Sequence, residues 1–89
     1  QKSNFESGDG YIDLIIKSVR SIGTIVILEL KQTSDETEDK VLTAQDAVEQ
    51  IIRKKYADPY IKRNDIKAVI SFGICFCKKE CAVVGKKMK

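Results

Sequence analysis

The sequence predicts one small α/β (α+β) domain, a mixed β-sheet with a crossover helix packed on it. Three observations carry this expectation. Asp13 is followed by two short Ile- and Val-rich runs, Leu14-Ile15-Ile16 and Ile25-Val26-Ile27-Leu28, separated by a polar break ending in Gly23, the pattern of a β-hairpin. Residues 43–57 then carry apolar side chains at helical spacing. Residues 68–77 return to an apolar, β-rich run. A chain of 89 residues makes one domain, and 43% hydrophobic content does not point to disorder.

Residues 1–10 are polar, with a turn signal at Asp9-Gly10, and read as a lead-in segment or short strand. Residues 11–17 and 24–31 are the hairpin strands. Neither alternates cleanly with polar residues, so much of the sheet is expected to be covered on both faces. Residues 32–40, with Asp35, Glu36, Glu38 and Asp39, read as a solvated acidic connection that could also edge a cleft. In the helix, Thr43 serves as N-cap and Asp46 favours the positive helix end. Ala44, Ala47, Val48, Ile51, Ile52 and Tyr56 form one apolar face, with Gln50 at its edge. Asp58-Pro59 ends the helix and can start another turn. Lys54, Lys55, Lys62, Arg63 and Lys67 form a loose basic zone, either solvated charges or a phosphate-binding surface. After the strand at 68–77, Lys78-Lys79-Glu80 is a turn and residues 81–84 a return strand. Residues 1–85 make the domain, and residues 86–89 a basic tail expected to fray.

The net charge of +3 permits nucleic-acid binding without demonstrating it. No apolar run approaches roughly eighteen residues, so no membrane partner is expected, and the N-terminus has no signal-peptide pattern. There is no Walker-type phosphate loop, nucleophile elbow or internal repeat. The three cysteines, Cys75, Cys77 and Cys81, stand beside no histidine, which argues against a zinc site within the chain. They read as reduced thiols of a cytoplasmic, intracellular protein, with no Cys75–Cys77 disulfide. Gln1 is not an initiator Met, so the chain is expected to be a piece of a longer protein.

The chemistry concentrates on the hairpin. Glu29 and Lys31 share one strand face and Leu30 takes the other. If Ser18 pairs with Thr24 across the turn, Asp13 sits opposite Glu29, with the two carboxylates roughly 5 Å apart. Such a pair is unfavourable unless something positive lies between, and a hard cation such as Mg²⁺ suits it. Two carboxylates, a metal and a lysine suit phosphodiester hydrolysis. The same residues also fit a plainer reading, in which Asp13 marks a strand start and Glu29 and Lys31 form a surface ion pair.

Glu6-Ser7-Gly8-Asp9-Gly10-Tyr11-Ile12-Asp13, then Glu29-Leu30-Lys31, then Ala47-Val48-Glu49-Gln50-Ile51 and Tyr56-Ala57 form an ordered set. It resembles the PD-(D/E)XK nuclease superfamily, and more narrowly the nuclease-like domain at the C-terminus of AAA-ATPase-like proteins. The match runs from about Ser3 to Val84. The resemblance implies a restriction-endonuclease-like sheet that lacks its N-terminal helix here, and a covalently linked upstream domain such as an ATPase. It implies Asp13, Glu29, Lys31 and Gln50 as catalytic residues, Asp13 and Glu29 as ligands of Mg²⁺ or Mn²⁺, and DNA or RNA as substrate. Lys54, Lys55 and Tyr56 are the expected nucleic-acid contacts. Tyr11 departs from the pattern, which usually carries Arg there. That departure supports an alternative, a catalytically inactive nuclease fold used for protein or nucleic-acid interaction.

Overall fold

The computed structural model describes residues 2–3, 10–19 and 23–89, with only the backbone course given for 2–3, 10–13 and 19. The motif residues Glu6 to Asp9, and with them half of the Asp9-Gly10 turn signal, lie outside the described residues. In chain order the elements are β1 (Lys2–Ser3), β2 (Gly10–Val19), β3 (Thr24–Gln32), α1 (Lys40–Arg53), α2 (Asp58–Ile61), β4 (Ala68–Cys77) and β5 (Glu80–Lys87). The five strands form one sheet in sequence order. β1, β2 and β3 are antiparallel, β3 and β4 run parallel, and β5 returns antiparallel to β4. A parallel pair needs a long crossover, and α1 with α2 supplies it. This is the mixed α+β sheet the sequence predicts.

The hairpin register differs from the expected one. Val19, not Ser18, pairs with Thr24, so Leu14 stands opposite Glu29 and Asp13 opposite Leu30. The ladder shifts between Tyr11 and Asp13, and beyond the shift Tyr11 pairs with Lys31 and Gly10 with Gln32. Those two outer pairs are the ones a Ser18–Thr24 start would produce. An inserted residue in one strand offsets the ladder in this way, and loop length alone does not reveal it.

Burial alternates strictly along β3 and β4. Ile25, Ile27 and Glu29 are buried on one face, as are Val69, Ser71, Gly73, Cys75 and Cys77. Val26, Leu28, Ile70, Phe72, Ile74 and Phe76 on the other face are only half-buried. Full cover on both faces is therefore not what the described residues show. α1 lies across β4 with β3 and β5 on either side, and Tyr56, Tyr60 and Ile61 pack on the same core cluster of Ile25, Ile27, Ile51, Ala57, Ile66 and Val69. Unbroken apolar runs arise here because the second face keeps large hydrophobic residues without a helix over them.

Gly73 sets how closely α1 approaches. A Cβ there would stand 1.9 Å from the Ala44 carbonyl oxygen and 2.9 Å from the Val48 nitrogen. Only a residue without a side chain lets the helix backbone settle on β4 at this point.

Helix α1 begins three residues earlier than the apolar spacing suggests. Its N-cap is Asp39, whose carboxylate accepts from the Val41 and Leu42 amides at 3.1 and 3.2 Å. Val41 and Leu42 are exposed, so the first turn adds nothing to the buried periodicity. Thr43 is buried instead of capping. It donates to the Glu38 carboxylate and to the Asp39 carbonyl, while Thr33 donates to the other Glu38 oxygen at 3.0 Å. The acidic connection is thus pinned through Glu38, and Glu36 pairs with Lys78 at 2.6 Å.

The helix also ends earlier than expected. Lys55 takes φ 60°, its amide donates to the Ile52 carbonyl, and the Tyr56 amide donates to the Ile51 carbonyl. This is a Schellman closure with lysine in the position that favours glycine, and Tyr56 and Ala57 still pack as the spacing predicts. The C-terminal residues do not fray. β5 runs to Lys87, and the Met88 and Lys89 amides both donate to the Val69 carbonyl, at 2.7 and 3.2 Å. Cys75 and Cys77 are buried, Cys81 is exposed, and all three thiols are free.

Three stability outcomes follow from these backbone details. Gly73→Ala should cost about 3 kcal/mol or more, because the obstacle is helix backbone. Gly85→Ala, whose Cβ would meet the Phe72 ring at 2.8 Å, should cost less, since a ring edge can turn away. Lys55→Gly should add about 1 kcal/mol by removing the left-handed penalty. Urea unfolding midpoints of the three variants check all of this.

Candidate active site

Glu29 lies near the end of β3, on the face that α1 covers. Alternation along the strand forces it there: Ile25 and Ile27 are core residues, and Glu29 is the next position on their side. It is 4% exposed, and its Oε2 has no hydrogen-bond partner among the described residues. Its neighbour across the parallel ladder is Gly73, which contributes no side chain. Burial pushes the Glu29 carboxyl up to about 7, against the pull of the Lys54, Arg53 and Lys31 charges. A carboxylate kept in such a place, with one oxygen unused, is primed for a proton or a cation.

The charges of three residues act on it. Lys31 is two residues along the same strand and half-buried. Arg53 and Lys54 come from the last turn and C-cap of α1 and are exposed. Gln50, one turn earlier and half-buried, accepts a hydrogen bond on Oε1 from Arg53 Nη2 at 2.5 Å. The end of α1 therefore carries Gln50, Arg53 and Lys54 within one turn.

The other expected site residues fall as follows. Asp13 is held in β2 between Ser3 of β1 and Leu30 of β3, and its side chain lies outside the described residues. Lys55 is exposed just beyond the helix end, and Tyr56 is half-buried against the core cluster. Of the wider basic zone, Arg63 is tied to Asp65 by two hydrogen bonds of 3.0 and 2.6 Å. Arg53 is the residue the sequence reading passed over, because it lies off the apolar stripe. Its spacing of three from Gln50 places the two side chains together on one helix surface, and that was the available signal. Ser71 was also passed over. It is fully buried on β4, and its Oγ, like Glu29 Oε2, has no partner among the described residues.

The residues fit a hard divalent cation in one respect: the orphaned Glu29 oxygen is an anionic oxygen donor of the type Mg²⁺ takes. Among the described residues no three His, Cys, Asp or Glu side chains gather into a cluster.

The Glu29 position should make stability fall as pH rises. The unfolded carboxyl titrates near 4.5 and the folded one near 7, so the folded protein holds this proton more tightly. Below pH 4.5 both states are protonated and no penalty exists. Between 4.5 and 7 the penalty grows, to at most about 3 kcal/mol, and it is constant above that window. In metal-free buffer Glu29→Gln should remove this component and stabilise the protein at neutral pH. Urea unfolding of both proteins across the window gives the difference, with contributions from Asp35 and Asp65 cancelling.

No helix among the described residues is long and apolar enough to cross a membrane. The chain matches the family model described as PD-(D/E)XK nuclease superfamily over residues 1–86. No curated protein and no solved structure matches it. Members of that superfamily generally use divalent metals, and membership suggests a nuclease-type function with a nucleic-acid substrate. The α+β sheet, the E-x-K strand and a match over nearly the whole chain agree, and the chain belongs to the PD-(D/E)XK nuclease superfamily.

Proposed function

We propose that this domain hydrolyses phosphodiester bonds of DNA or RNA with Mg²⁺ or Mn²⁺, using Asp13, Glu29, Lys31 and Gln50. The observation that carries the reading is the buried Glu29 carboxylate, one oxygen of which has no partner among the described residues, under the field of Lys31, Arg53 and Lys54. A divalent cation bound by Asp13 and Glu29 would polarise the phosphoryl oxygen and lower the pKa of a bound water. Glu29 contributes a ligand oxygen that burial has already stripped of water, so it gives up little hydration on binding. Lys31, on the same strand face, orients the attacking water or offsets charge that develops on the phosphate. Lys54 and Lys55 draw the nucleic-acid backbone toward the end of α1. The ordered motif set supports a place at the C-terminus of a longer, AAA-ATPase-like protein.

The inactive-fold alternative draws on Tyr11 and on the register shift beside it, which sets Asp13 opposite Leu30. Metal-linked melting separates the two readings. Millimolar Mg²⁺ should raise the melting temperature by mass action, and Asp13→Asn should abolish that rise. Lys31→Ala should keep the metal shift yet lower cleavage of plasmid and single strands by about a hundredfold or more, since its role belongs to the transition state. A wild-type melt indifferent to metal, together with a parent protein that cuts nothing, would leave the inactive fold as the function.

A further inference from the structure

β5 forms one edge of the sheet. It pairs with β4 over its whole length, and among the described residues nothing pairs with its other side. Proteins commonly blunt such an edge with a charge, a proline or a bulge in the strand. The middle of β5 has none of these. Cys81-Ala82-Val83-Val84-Gly85 carries no charge and no proline, and the ladder with β4 passes it without a shift. Val83 pairs with Ile74, on the face away from α1, and is 57% exposed. On the α1 side, Lys40 and Glu80 pair at 3.1 Å and tie the first helical turn to the start of β5. The two residues after Lys40, Val41 and Leu42, are exposed. Apolar side chains thus stand uncovered on the strand and on the helical turn tied to it.

A strand that pairs antiparallel with its own copy does so about a two-fold axis perpendicular to the sheet. Opposed residues share a face, so one residue must stand opposite itself. With Val83 on the axis, Ala82 meets Val84, Cys81 meets Gly85 and Glu80 meets Lys86 of the second copy. Small residues meet larger ones, and the symmetry makes the acid–base pair twice. Glu80 and Lys86 both lie on the α1 side, opposite Cys77 and Ser71 of β4, and both are exposed. The neighbouring registers lack this match. Centring on Ala82 sets Lys78 against Lys86, and centring on Val84 sets Glu80 against Met88 and Ala82 against Lys86.

We propose that β5 pairs antiparallel with β5 of a second copy of this chain, centred on Val83, so that two sheets become one. The proposal is independent of the nuclease reading. Its two-fold axis keeps both α1 helices, and the Glu29 positions they cover, on one face of the joined sheet. The Lys40–Glu80 pair does not compete, because the Glu80 side chain is 71% exposed and a carboxylate accepts from more than one donor.

The test is sedimentation equilibrium of the whole chain over a concentration series. Wild type should show a monomer–dimer equilibrium. Val83→Lys brings two ammonium groups together at the axis and should weaken dimerisation by about tenfold or more. Glu80→Lys and Lys86→Glu each set like charges opposite one another and should weaken it as well. An equimolar mixture of those two variants should dimerise again, because every charge then meets its opposite in the other chain. All three positions are exposed, and melting temperatures within a few degrees of wild type confirm that the variants fold. A wild-type chain that stays monomeric up to about 1 mM overturns the proposal. A dimer that Val83→Lys leaves intact overturns it too, since the interface then lies elsewhere. Charge variants that remain monomeric when mixed overturn the Val83-centred register.

Discussion

The close seating of α1 on β4 at Gly73 governs the rest of the structure. Interiors are packed tightly enough that a displacement of one methyl group is felt across an interface. With Ala44 and Val48 backbone atoms directly over Gly73, the helix covers Ile27, Val69, Cys75 and Glu29 together. A larger residue at 73 would lift α1, wet Glu29 and loosen the core in one step. The buried carboxylate and the hydrophobic core thus depend on the same contact.

That contact creates an electrostatic tension. Burial disfavours the ionised form of Glu29, and the charges of three cations favour it. The balance leaves the group near neutrality in its titration, an expensive arrangement for a residue serving only stability. Replacing it by an apolar residue of similar size would relieve the desolvation outright. The ligand role proposed for Glu29 gives a reason for a carboxylate at this position. The same logic applies to the αL lysine at 55. Glycine would close the helix at lower cost, while lysine adds a cation where the helix end meets the site.

The sheet is two-sided in an unequal way. One face carries both helices and the buried alternation of β3 and β4, and the other keeps Val26, Leu28, Ile70, Phe72, Ile74 and Phe76 half-buried. Glu29 lies on the helix-covered face, near the end of β3, and the acidic connection that follows is tied back through Glu38.

The sequence by itself determined the element types and their order, because a period of two in 24–31 and 68–77 and a period near 3.6 in 43–57 are local properties. It also determined the family, since Glu29-Leu30-Lys31 and Ala47-Val48-Glu49-Gln50-Ile51 are contiguous strings. Tertiary structure decided what depends on register and depth. A turn that pairs Val19 rather than Ser18 with Thr24 set Asp13 opposite Leu30 instead of Glu29, and nothing in the strands' composition signals a register one residue away. The helix started at Lys40 because a cap acts through backbone amides, whatever the side chains beyond it bury. The depth of Glu29 was illegible because Gly73, forty-four positions away in the chain, sets how closely the helix lies over it.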